Sequence, residues 1–194
     1  MLPRLGLLAL GFRDPRSPAR RASRHPPPLT RVIFPSLTFL FFRGNIEYLE
    51  DVLSRIETPV LNESEFYLFN QLVFDTPLLG HFIRRTKTFM TIHTARVLFS
   101  SWGVRVALWE REEMAHNDVE RRSLSISCKP LDWQLSALPQ VLNSFLPSLS
   151  TLESLEIKVY HEDWQDEIEV IQWQEFLHPF ISVKEMTLKG EASV

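Results

Sequence analysis

Three carboxylates fall within five positions of the segment RGNIEYLEDVLSRI: Glu47, Glu50 and Asp51. Acids this close can do general acid–base work or share a cation, and Glu47 and Asp51 would project from adjacent turns of a helix. A catalytic carboxylate, however, needs its pKa moved by burial or by a like charge. Here Ile46, Leu49, Val52, Leu53 and Ile56 form the apolar stripe, and the three acids fall opposite it. A position in or just after the first helical turn suits negative charge, and Asp51 has Arg55 one turn on. The pattern reads as the wet side of a structural helix before it reads as a site.

The other reactive side chains are dispersed. His25, His81, His93, His116, His161 and His178 include no pair at ligand spacing on one helix, and no HExxH occurs. The stretch YHEDWQDEIE (160–169) is rich in oxygen donors but lacks the spacing and glycine of a calcium loop. No GxSxG, GxGxxG or GxxxxGK[ST] is present, and six glycines leave little for a phosphate-cradling loop. Cys128, in SLSISCK, has only Lys129 to make a pocket electropositive and reads as a packed thiol. As the single cysteine it excludes an intrachain disulfide and points to a reducing compartment, cytoplasmic or nuclear. Trp133 and Trp173 read as cover for the core. No catalytic, metal or cofactor site is expected, and no cofactor.

Those residues must be carried by something, and the apolar pattern says what. Leu5, Leu8 and Leu10 follow apolar-x-x-apolar-x-apolar, as do Leu37/Leu40/Phe42, Leu152/Leu155/Ile157 and Val183/Met186/Leu188. The last two positions recur as Phe66/Leu68, Val97/Phe99 and Leu124/Ile126. Middle positions 8, 40, 66, 97, 124, 155 and 186 are separated by 32, 26, 31, 27, 31 and 31 residues. A near-constant period marks a repeat architecture, here at or just above the leucine-rich range. Each apolar pair is a short strand with one face inward, and a helix with short turns returns the chain to the next strand.

Helices are expected in NIEYLEDVLSRI, capped by Asn45, and in TPLLGHFIRRT, with Leu78, Leu79, Phe82 and Ile83 inward. QLSALPQVLNSFL turns Leu135, Leu138, Val141, Leu142 and Phe145 inward, with Pro139 starting or kinking it. IEVIQWQEFLHPF does so with Ile168, Ile171, Phe176 and Leu177. ARVLFSSWGVRVALW reads as two strands joined near Gly103, and the polar segment 110–122 fits no unit. The expected fold is α/β: an irregular leucine-rich-repeat-like solenoid of about seven strand–helix units with a curved, mainly parallel sheet. Residues 1–12 hold the first strand, 13–31 a flexible Pro/Arg-rich loop, and 32–194 one solenoid domain whose two ends both read as cut.

Of 194 residues, 44% are apolar and 23% charged, enough for one buried core. Seven arginines and Asp14 give residues 1–31 a charge of +6, which leaves −9 for the remainder of a chain whose total is −3. So acidic a body repels nucleic acid. The Pro/Arg stretch after MLPRLGLLALGF offers no cleavage site, and its prolines interrupt any presequence helix. The longest apolar stretch, VIFPSLTFLFF, is 11 residues, too short to span a bilayer. Neither nucleic acid nor membrane is an expected partner.

On such a solenoid the side chains alternating with the core residues form the concave face: Phe41, Tyr67, Leu98, Ser125, Glu156 and Thr187. Phe41, Tyr67 and Leu98 would make an adjacent apolar strip of the kind that anchors protein partners.

RGNIEYLEDVLSRIETPVLN, NQLVFDTPLLGHFIRRT, ARVLFSSWGV, ISCKPLDWQLSALPQV, LPSLSTLESLEI and IQWQEFLHPFISVKEMTL follow one another along nearly the whole chain. Together with the loop FRDPRSPARRASRHPPPLTR, this ordered set resembles the C-terminal region of fungal F-box proteins. The resemblance implies a non-catalytic module that presents a protein substrate to a Skp–cullin–F-box ubiquitin ligase. It does not extend to the F-box, so binding of the Skp adaptor does not carry over to this chain. The standard repeat asparagine is also irregular: Asn45 follows Phe42, but Trp102 takes the equivalent place after Phe99. A small hydrolase or metal-dependent enzyme built on the acidic cluster, and a non-functional truncated copy, stand as alternatives.

Overall fold

The computed structural model describes residues 4–12, 30–71, 73–110, 122–128, 131–145, 149–160 and 170–190. Readings placed on residues 13–29, 111–121 and 161–169, among them His25, His116, His161 and Ile168, lie outside these.

Every apolar pair of the repeat lies in a strand. The strands are β1 (Leu7–Gly11), β3 (Phe39–Gly44), β5 (Glu63–Phe69), β6 (Thr94–Ser100), β8 (Arg122–Ser127), β9 (Ser154–Tyr160) and β10 (Glu185–Gly190). With β7 (Gly103–Trp109) they form one eight-stranded sheet, and β2 (Val32–Ile33) pairs separately with β4 (Ile56–Glu57). Leu40, Phe42, Phe66, Leu68, Val97, Phe99, Leu124, Ile126, Leu155 and Ile157 all point to the same, buried face. The register sets Phe42, not Leu40, beside Phe66, so the repeat slips there by two residues without changing face.

Between β6 and β7 the chain makes the expected hairpin through Ser101 and Trp102. Gly103 has φ +155°, and a Cβ there would stand 2.1 Å from the carbonyl oxygen of Ile126. Only glycine lets β7 lie this close to β8. The hairpin reshapes the sheet. Because β7 occupies the flank of β6, β8 takes the far side of β7, next to β5, giving the order β1-β3-β5-β8-β7-β6-β9-β10. All pairings are parallel except the two made by β7. The strands are therefore not stacked in chain order, as an uninterrupted solenoid would have them.

Helices cover the buried face: α1 (Ile46–Arg55), α2 (Pro77–Arg85), α3 (Leu131–Leu142) and α4 (Val170–Leu177). Their apolar stripes meet the sheet, with Leu49, Leu53, Leu79, Phe82, Leu138, Val141 and Phe176 inaccessible or nearly so. Pro139 sits inside α3 rather than at its start. Ile171, expected inward, is exposed, and α4 is anchored instead by Phe176 and Trp173 against Phe99. Gln134 on α3 donates from Nε2 to the carbonyls of Ser100 and Cys128, tying the helix to the ends of β6 and β8. No helix among the described residues is long and apolar enough to cross a membrane.

Candidate functional site

The opening carboxylates go to three different partners. Asp51 pairs with Arg55 at 2.9 Å on the surface, as the spacing indicates. Glu47 accepts from Gln71 Nε2 at 2.7 Å, and Gln71 Oε1 in turn accepts the amide of Ile46. Asn45 takes the N-cap position of α1, but its side chain makes no cap bond.

Glu50 overturns the solvent-side reading. It is 2% exposed, and its two carboxylate oxygens accept the N–H groups of Leu78 and Leu79 at 2.9 and 2.7 Å. It caps the N-terminus of the neighbouring helix, where Thr76 supplies no side-chain cap bond. At the other ends of the same two helices, Arg85 Nη2 donates to the carbonyls of Leu53 and Ile56, completing α1 from α2. Burial, and then the charge of Arg31, lowers the Arg85 guanidinium from its usual range. The signal for Glu50 was present: its i−4 and i+3 neighbours, Ile46 and Leu53, both belong to the apolar stripe. Its polarity argued for solvent where its spacing argued for the core.

On the opposite side of the sheet the six expected concave residues do share a face. Phe41, Tyr67, Leu98, Ser125 and Glu156 are half-buried, and Thr187 is exposed. The register sets Phe41, Glu156 and Thr187 in one cross-strand row and Tyr67, Ser125 and Leu98 in the next. The expected strip Phe41–Tyr67–Leu98 is not formed. Phe41 and Tyr67 are diagonal neighbours on β3 and β5, but β8 and β7 separate Tyr67 from Leu98, which lies between Arg105 and Lys158. The inserted hairpin is the physical reason.

No protein-family model, curated protein or solved structure matches the chain. The face must be read from its own side chains. The Arg43 guanidinium lies over Tyr67, 5.1 Å from the ring centroid, and 5.9 Å from that of Phe69. Glu156 is ringed by Arg96 at 2.5 Å, Lys189 at 2.7 Å and Lys158 at 3.7 Å. Burial pushes its carboxyl up, but hydrogen bonds from Lys189 and Arg96 and the charges of Arg96 and Lys158 outweigh that and hold it at about 2. One carboxylate thus balances only part of three positive charges. Arg43, Lys158 and Lys189 were missed, although each sits two residues beyond a position already placed on this face. Arg105 belongs to the hairpin strand, outside the repeat.

Among the described residues no group of three or more His, Cys, Asp or Glu is placed to hold a metal ion. Cys128, the single cysteine, is packed in the interior, 4% exposed. What this face offers chemically is contact: aromatic rings, guanidinium and ammonium groups on an eight-stranded sheet.

Proposed function

We propose that the chain is a non-catalytic protein-interaction module that presents the face of its sheet left uncovered by the described helices to a protein partner, as the substrate-recognition region of an F-box protein would. In this reading the strand–helix units form an irregular leucine-rich-repeat-like solenoid with one inserted hairpin. The observation that carries it is Arg43 lying over Tyr67, with Phe41 diagonal to Tyr67 on the neighbouring strand, on a face that the described helices leave uncovered. Aromatic and arginine side chains dominate binding energy at protein interfaces. Fixed on a sheet, they lose little entropy when a partner docks.

The test is capture from the source cell followed by direct binding of the captured protein in purified form. Tyr67→Ala and Phe41→Ala should each weaken that binding about tenfold or more. Unchanged binding by both variants would remove this face as the interface. The ligase connection is tested separately with a bait extended upstream. Recovery of Skp adaptor and cullin by the longer bait alone supports the recognition-half reading, and recovery by neither ends it.

A further inference from the structure

The open face is polarised along its strands. The row Arg43–Tyr67–Ser125–Arg105–Leu98–Lys158–Lys189 crosses seven strands and carries four cations and no carboxylate. Among the described residues the carboxylates of the face lie in the rows toward the other end of the strands. Glu65 and Glu156 occupy the adjacent row and Glu63 and Glu185 the one beyond. Two cations of the row, Lys158 and Lys189, share Glu156 with Arg96, so that end of the row keeps an excess of positive charge. At its other end Arg43 is exposed and backed by rings rather than by an acid.

We infer that this row is the docking track for an extended acidic polypeptide segment lying across the strands. The inference deepens the proposed interaction module and rests on it. Six strand spacings of about 4.8 Å give a track of about 29 Å, which about nine residues of extended chain would cover. Tyr67 and Leu98 divide the track into apolar steps between cations, where apolar parts of the segment add contact to the charge pairing. The body outside residues 1–31 carries −9. A short segment feels the local row within a Debye length, whereas a nucleic-acid backbone meets the whole acidic body.

The test uses the full chain and fluorescence anisotropy with three labelled probes: a ten-residue oligoglutamate, a Gly/Ser peptide of equal length, and oligothymidylate. The oligoglutamate should bind about tenfold or more tighter than the Gly/Ser peptide and weaken with added salt. The double substitution Lys158→Gln/Lys189→Gln, and separately Arg43→Gln, should each lower its affinity about three- to tenfold. Arg43 and Lys189 are exposed, and unchanged circular dichroism confirms the fold of each variant. Equal binding of the two peptides, no effect of either substitution, or tighter binding of the oligothymidylate would overturn the inference. If the captured partner is lost with Tyr67→Ala but kept with Lys158→Gln/Lys189→Gln, the interaction module stands and the acidic track falls.

Discussion

The Glu50 carboxylate serves two amides at the start of α2, so Glu50→Ala leaves both without their acceptor. A lost cap costs about 1 kcal/mol and a buried unpaired donor about 1–3 kcal/mol. Urea unfolding of Glu50→Ala should therefore show a loss of about 2–4 kcal/mol. Glu50→Gln, which retains one oxygen, should lose less, and Glu47→Ala, at a half-buried site, under about 1 kcal/mol. Glu156 makes the complementary case through pH. Its carboxyl is held at about 2 in the fold, below the 4.5 of a free glutamate side chain. A depressed folded-state pKa contributes stability above the unfolded value, and that contribution is lost as pH falls through the folded one. Acid titration of stability should show this loss between about pH 4.5 and 2, on the order of 1–3 kcal/mol, with the arm flattened in Glu156→Gln.

Elements were legible wherever one periodicity ruled. The seven repeat strands and the four helices follow from spacings of two and of three to four, and Gly103 marked the hairpin turn. Strand order was not legible. β5 and β6 both alternate buried and half-buried residues, and nothing in either segment says which edge it joins. The decision lies in the hairpin, whose second strand occupies the flank of β6 and sends β8 back to β5. The tight approach at Gly103 makes that decision testable. Alanine there meets the Ile126 carbonyl, while a Cβ at Gly11 meets nothing within 4 Å. Thermal melts should show a loss of at least about 2 kcal/mol for Gly103→Ala and little change for Gly11→Ala.

At the scale of the whole molecule, sidedness was legible and neighbourhood was not. Period-two alternation put all six expected residues on one face, but which of them touch depends on register and order, which are long-range facts. The same distinction governs the buried side. Ile157 on β9 and Leu188 on β10 are register partners facing the helix layer. Ile157 is 3% exposed, whereas Leu188 is 61% exposed and Met186 58%. The pattern assigns both strands the same role, yet cover reaches only one of them among the described residues. A charge placed at each site should separate the two environments. Ile157→Lys puts an ammonium group into the core and should cost at least about 4 kcal/mol, abolishing the cooperative urea transition in a marginal domain. Leu188→Lys leaves its charge in water and should change stability by under about 0.5 kcal/mol. Equal losses would mean that β10 is covered in solution as fully as β9.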